Sequence, residues 1–363
     1  MNITIITGAR TYFMKIAPII HEIITQQKIG VNINYRLVHT GQHYDKNLSD
    51  TFFEELNIPH PHINLEVKSG SQAEQTGAIM IAFEKELENH PTDLVLVVGD
   101  VTSTMACTIV AKKANIKVAH VEAGIRSGDM NMPEEINRMV TDSITDYFFT
   151  TSQLAGANLK NSGVNNKRIF FVGNVMIDTL LSNLNRIKKP DFWKDLNLEK
   201  NNYFVLTLHR PSNVDTENEL KELINTIVKN CNGKPIIFPV HPRTKKLLEG
   251  LSLNFDNLHF VSPQGYLSFI YLVKNAIAVL TDSGGITEEA TILNIPCITF
   301  RNSTERPETC TLGTNVLVGN DLNKINSAFN TLNSKKWKQA QIPELWDGNA
   351  SKRIISHILS LYA

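Results

Sequence analysis

The sequence is poor in the features that mark several large protein classes. It has four cysteines in 363 residues, Cys107, Cys231, Cys297 and Cys310, and no Cys-x-x-Cys pair. That excludes a disulfide frame and a cysteine zinc site, and the four read as small buried hydrophobes in a reducing compartment. There is no run of eighteen apolar residues, so neither a transmembrane helix nor a membrane partner is expected. Charge of one sign is missing too. Lys+Arg and Asp+Glu number 36 each, which leaves no global field to draw the chain to nucleic acid or a membrane surface. Residues 1–7 form a strand pattern running straight into Gly8, without the basic start and small-residue cleavage site of a signal peptide. A cytoplasmic location is the expectation.

Catalytic signatures are missing as well. No G-x-G-x-x-G follows the first strand, which argues against a nicotinamide cofactor. No G-x-x-x-x-G-K-S/T occurs, so this is not a P-loop NTPase. No H-E-x-x-H occurs, and the eleven histidines show no zinc spacing. G-x-S-x-G is absent, so a hydrolase nucleophile has no elbow to sit on. Neither a cofactor nor a metal site is expected.

What is present is a hydrophobic fraction of 42%, ordinary for a globular chain, at a length that suits two domains. Strand patterns cover 2–7, 34–39, 94–98, 117–121 and 147–151, with helices expected at 13–27, 72–89, 103–114 and 134–146. The alternation predicts βαβ units and a parallel sheet covered on both faces. The pattern restarts after 170–173, with strands at 203–208, 235–240 and 276–280 and helices near 216–230 and 322–332. A polar stretch, 188–202, reads as a loop near a boundary, and 350–361 reads as an amphipathic helix.

In such sheets ligands bind beyond the carboxyl ends of the strands. Six strands here end in reactive or charged groups. The first three lead to Arg10 and Lys15, to Gly99 and Asp100, and to Glu122. The others lead to His209 and Arg210, to His241 and Arg243, and to Asp282 and Ser283. Three lie in each half, so two Rossmann-like sheets can face each other across a cleft. In the stretch 281–290, Ser283, Gly284 and Gly285 stand where a strand turns into a helix, which suits a diphosphate at a helix N-terminus. Glu288 and Glu289 follow, and one of them could accept hydrogen bonds from a ribose. Plainer readings stay open. Asp100 can be an N-cap, Lys15 a solvated helix residue, His209 a satisfied core histidine, and Glu134 and Glu135 first-turn acids after Pro133.

Taken together, these residues resemble the non-hydrolysing UDP-N-acetylglucosamine 2-epimerase family from end to end. The likeness rests on Gly8-Ala9-Arg10 with Phe13-Met14-Lys15, His39-Thr40-Gly41-Gln42-His43-Tyr44 and Gly99-Asp100. It continues through His120-Val121-Glu122-Ala123-Gly124, Met132-Pro133-Glu134-Glu135-Ile136-Asn137-Arg138 and Thr207-Leu208-His209-Arg210. It ends with Asp282-Ser283-Gly284-Gly285 and Thr304-Glu305-Arg306-Pro307-Glu308. The fold implied is α/β of the glycosyltransferase-B (GT-B) type. It would have a first domain at 1–172, a UDP-binding domain at 173–349, and the helix at 350–363 packing back on the first domain.

The activity implied is conversion of UDP-GlcNAc to UDP-ManNAc by elimination and re-addition of UDP, serving surface polysaccharide synthesis in a homodimer. By the same resemblance Asp100, Glu122, Glu134, His209 and Lys15 are the catalytic group. Arg10, Arg138, His241, Ser283, Gly284, Gly285, Glu289 and Arg306 bind the substrate, with Glu289 on the ribose and Arg306 near the phosphates. The alternatives are an epimerase of a 2,3-diacetamido uronate nucleotide, a hydrolysing epimerase that releases UDP, and a non-catalytic sugar-nucleotide binder. Three departures stand out. Thr11-Tyr12 replaces the family's usual Pro-Glu, Pro211-Ser212 follows His209-Arg210 where Arg-Glu is common, and Tyr44 replaces the arginine of the allosterically activated branch. No activation by added UDP-GlcNAc is therefore expected.

Overall fold

The computed structural model describes residues 1–9, 12–41, 52–68, 70–210, 217–240 and 255–363. Among them the chain forms two compact units, Met1–Asn183 with Glu344–Ala363, and Leu184–Pro343. Among the described residues no helix is long and apolar enough to cross a membrane.

The first unit is built on β1 (Asn2–Thr7), β2 (Asn34–His39), β3 (Ile63–Asn64), β4 (Leu94–Val98), β5 (Lys117–Val121), β6 (Tyr147–Thr150) and β7 (Ile169–Phe171). They pair in parallel in the order β3-β2-β1-β4-β5-β6-β7. The strand β4, Leu-Val-Leu-Val-Val, is buried along its whole length, as a parallel strand covered on both faces must be. The strand order reverses between β1 and β4, which opens a crevice at their carboxyl ends. Local chemistry sets the helix starts. Ser71 and Glu74 form a reciprocal capping box ahead of Gln72–Asn89, and Pro133 opens Pro133–Ile144.

The division into units comes after Asn183, not at 172. The reason is the helix Val175–Asn183, which stays with the first sheet and anchors the chain end. Its Asp178 accepts the N–H groups of Ala350 (3.0 Å) and Ser351 (2.7 Å), the first residues of the last helix, Ala350–Leu361. Ile354, Ile355 and Ile358 of that helix are fully buried, and the buried Trp346 indole donates to the Thr151 carbonyl at 3.1 Å. Gly173 (φ +90°) lies so near this return segment that a Cβ would sit 2.1 Å from the Leu345 carbonyl oxygen.

The second unit repeats the plan. Its strands are β8 (Phe204–Thr207), β9 (Ile236–Pro239), β10 (Leu258–Val261), β11 (Ala278–Thr281), β12 (Cys297–Thr299) and β13 (Asn315–Leu317). They run parallel in the order β10-β9-β8-β11-β12-β13, with the reversal between β8 and β11. The core gathers Phe204, Leu206, Phe238, Leu280, Phe300 and Phe329. The stretch at 188–202 is more than a connecting loop. Trp193 and Leu198 are buried in it, and Trp193 packs edge-on against Tyr203 (5.4 Å) and Tyr271 (5.3 Å).

Candidate active site

In the first unit, four of the sequence-nominated side chains gather at the carboxyl ends of β1, β4 and β5. Lys15 lies in the first turn of the helix Phe13–Lys28, and its Nζ meets Glu122 Oε2 at 2.5 Å. Glu122 follows β5 directly and takes φ +71°, a left-handed conformation that costs a residue with a Cβ about 1–3 kcal/mol. The surroundings enforce it. The N–H groups of Glu122 (3.0 Å) and Ala123 (3.2 Å) both donate to the Phe149 carbonyl. The N–H of Gly124 donates to Asp142 at 3.1 Å. The strained turn aims a buried carboxylate at Lys15, and strain of this kind clusters at functional sites.

Asp100 ends the β4 turn. Its Oδ2 accepts Arg138 Nε (2.9 Å) and Nη2 (2.6 Å), and its Oδ1 accepts the Tyr12 hydroxyl at 2.6 Å. Burial pushes the Asp100 carboxyl up, but Arg138, Lys15 and the Tyr12 hydrogen bond outweigh it and hold Asp100 below the usual carboxylate range. Asp100 therefore stays ionised at neutral pH.

Arg138 is itself 3% exposed and is gripped by Glu135. Glu135 also accepts the Ser127 and Gly128 N–H groups at 2.9 and 3.1 Å. It is thus a buried brace, whereas its position after Pro133 suggests a plain first-turn acid. Glu134 stands one turn before Arg138 on the same helix, partly exposed. Among the described residues it has no hydrogen-bond or ion-pair partner. Behind these groups lies His120, fully buried, with Nδ1 against Asp142 Oδ1 and Nε2 against the Gly99 carbonyl, each at 2.8 Å. It ties the β4 turn to the helix that carries Arg138.

In the second unit, the ends of β8 and β11 meet. Asp282, wholly buried, accepts the His209 (3.0 Å) and Arg210 (2.9 Å) N–H groups and faces His209 Nδ1 at 2.7 Å. Burial pushes the Asp282 carboxyl up, yet the bonds from His209 and Arg210 hold it below its ordinary value. A carboxylate can only accept, so Nδ1 carries the proton and Nε2 points away as a group that can exchange one.

The helix Gly285–Ile292 begins at Gly284 with no side-chain cap; the Thr287 N–H turns back to the Gly284 carbonyl, and among the described residues the N–H groups of Gly285 and Ile286 are left to an anion. Gly284 has ordinary helical angles, φ −75° and ψ −43°, and Gly285 has open space where a Cβ would stand. The glycines therefore matter for access and not for backbone conformation. Ser283 is half-buried, its N–H bonded to the Thr281 hydroxyl. Arg306 is buried and paired with Glu288. Glu289 is buried, accepts the Tyr266 hydroxyl at 2.9 Å and has its carboxyl pushed up to about 8 by burial.

Arg10 and His241 lie outside the described residues, as do Thr11, Tyr44, Pro211, Ser212 and Arg243. Among the described residues no group of three or more His, Cys, Asp or Glu side chains could hold a metal ion. Sequence reasoning gave no bracing role to four groups that hold the others: Tyr12, Glu135, His120 and Asp282. Only Asp282 left a usable signal, a carboxylate separated by Thr281 alone from the apolar run 276–280.

A family model described as UDP-N-acetylglucosamine 2-epimerase matches residues 26–359. The chain is similar to the UDP-N-acetylglucosamine 2-epimerase of Methanocaldococcus jannaschii, 43% identical over 369 residues, covering 98% of each protein. It is also similar to the UDP-2,3-diacetamido-2,3-dideoxy-D-glucuronate 2-epimerase of Pseudomonas aeruginosa, 38% identical over 366 residues, covering 99% of this chain and all of that one. A crystal structure of the M. jannaschii protein in complex with UDP-GlcNAc and UDP matches this fold with a TM-score of 0.88 and 42% identity, covering 99% of this chain and all of that one.

Proposed function

Because the chain belongs to the UDP-N-acetylglucosamine 2-epimerase family, we propose that it inverts C2 of UDP-GlcNAc to give UDP-ManNAc without net hydrolysis. The observation that carries this reading is the cluster at the β1–β4 crevice, Lys15–Glu122 beside Asp100–Arg138. No ketone acidifies the C2 proton of the substrate, so a carboxylate must take it as the C1–O bond breaks and UDP leaves. A glycal, UDP and a protonated side chain result. A proton is then returned to C2 from the other face and UDP re-forms the bond to C1. Acid–base groups on both sugar faces and a site for the departing diphosphate meet these needs. Asp100, Glu122, Glu134 and His209 supply the former. The uncapped turn of Ser283, Gly284 and Gly285, with Arg10, supplies the latter, and Glu289 takes the ribose.

A homodimer is part of the proposal. Its support is Ile136 and Met139, each 45% exposed on the helix that carries Arg138. Light scattering of the purified protein tests it, and a monomer at working concentration removes it.

The decisive experiment is proton NMR of UDP-GlcNAc with the protein in D₂O. Deuterium at C2 and growth of UDP-ManNAc signals are expected. Free UDP accumulating with ManNAc would identify a hydrolysing enzyme instead, and no exchange at C2 would end the epimerase reading. The 38% relative favours a second substrate, a UDP-2,3-diacetamido-2,3-dideoxy-glucuronate. Comparing kcat/KM for the two nucleotides decides between them.

A further inference from the structure

Tyr12 stands between two charged pairs at the β1–β4 crevice, Lys15–Glu122 and Asp100–Arg138, and touches both. Its hydroxyl donates to Asp100 Oδ1 at 2.6 Å and receives the Asp100 N–H at 3.2 Å. Its ring centroid lies 4.6 Å from Lys15 Nζ, the cation that pairs with Glu122. The residue is 6% exposed. Its ring uses the space that Gly99 leaves: at φ +66°, a Cβ on Gly99 would sit 2.4 Å from Tyr12 Cε1. The glycine turn, the ring and the carboxylate are thus fitted to one another. A phenylalanine would fill the gap equally well, so the hydroxyl has a separate use. Burial, and then the charge of Asp100, push the Tyr12 phenol well above its ordinary range, so it keeps its proton and serves as the donor.

We propose that Tyr12 is a positioning residue that fixes Asp100 Oδ1 and sets the pH at which Asp100 ionises. The inference rests on the reading of Asp100 as a group of the epimerisation site. Among the described residues, the charged and titratable groups facing this pair are Lys15 from the helix Phe13–Lys28, Arg138 from the helix Pro133–Ile144, and Glu122 from the turn after β5. Arg138 holds Oδ2, which leaves Oδ1 to Tyr12. A donor on the ionised form stabilises that form, so its removal raises the pH needed to ionise Asp100.

The test is the pH dependence of kcat and kcat/KM for UDP-GlcNAc turnover by four proteins: the unaltered chain, Tyr12→Phe, Asp100→Asn, and the chain carrying 3-fluorotyrosine at position 12. Loss of the hydroxyl is expected to move the acid limb up by about one pH unit and to lower kcat about tenfold, with KM little changed. Fluorotyrosine keeps the shape and donates more strongly, so its acid limb is expected to move down. Limbs that coincide with the unaltered protein, or that move the same way in both variants, overturn the proposal. If Tyr12→Phe does not fold, the fluorotyrosine protein decides alone, because its packing is unchanged. An Asp100→Asn variant with full turnover removes the reading of Asp100 and this inference with it. An inactive Asp100→Asn beside unmoved Tyr12 variants removes only the role of Tyr12.

Discussion

Asp282 turns His209 from an exposed imidazole into a directed one. The carboxylate binds Nδ1 at 2.7 Å and two backbone N–H groups of the same turn. Asp282→Asn keeps the size and the backbone acceptor but loses the charge that orients the ring. Turnover is expected to fall by about 10²–10⁴-fold with KM nearly constant, as for loss of a positioned acid or base. Steady-state kinetics check this, and unchanged kcat would leave Asp282 a purely structural role. Glu289 makes a prediction about stability. Its carboxyl is pushed from an ordinary 4.5 to about 8 by burial, so the fold favours its protonated form. That contribution is fully present below the unfolded value of 4.5 and is lost as pH rises through about 8. Glu289→Gln, neutral throughout, is expected to flatten the fall in nucleotide-free melting temperature between pH 5 and pH 8.5. Parallel melting curves for the two proteins would show that burial does not act in this way.

At the scale of elements, the site depends on turns whose shape is imposed from outside. Glu122 holds a left-handed backbone only because Phe149 on β6 and Asp142 on the neighbouring helix take up its N–H groups and those that follow. The last helix has an equivalent dependence. Its first N–H groups end on Asp178, so the helix Val175–Asn183 supplies the cap that Asn349 does not. Asp178→Ala is expected to cost about 1–2 kcal/mol, the usual range for a lost N-cap carboxylate. Chemical denaturation followed by far-UV circular dichroism measures it, and a cost near zero would mean that Trp346 and the isoleucines hold the helix unaided. Secondary structure was legible here wherever burial matched pattern. β4 reads directly as five apolar residues. β12 and β13 were missed because each is only three residues long, and β10 because His259 interrupts its four-residue apolar run. A strand that short carries too few periods to stand out.

At the scale of the whole molecule, each of two doubly wound sheets has a crevice of its own at its polar strand ends, β1–β4 in the first and β8–β11 in the second. The first unit is closed by a segment from the far end of the chain, Glu344–Ala363. Deleting residues 344–363 is expected to raise amide exchange in β1 and β2, next to the helix Phe13–Lys28 on which the last helix packs. The core of β8, β9 and β11 has no part in that packing and should keep its protection. Hydrogen exchange with mass spectrometry separates the outcomes, and equal loss in both units would contradict the division at Asn183 and Pro343.

Alternating apolar runs and helical periods were enough to establish two parallel α/β sheets, because buried strands and amphipathic helices are properties of neighbours in sequence. The strand-end rule put Asp100 and Glu122 at the carboxyl ends of the first sheet, Lys15 in the helix after its first strand, and His209 at an end of the second, for the same local reason. The braces could not be read that way. Tyr12 lies 88 positions from Asp100, and Asp282 lies 73 from His209, so only folding brings each acceptor to its donor. Whether an acidic residue is a solvated first-turn group or a buried strut, as Glu135 proves to be, depends on what covers it. Burial and long-range hydrogen bonds, which set the charge and aim of these side chains, exist only in the packed chain.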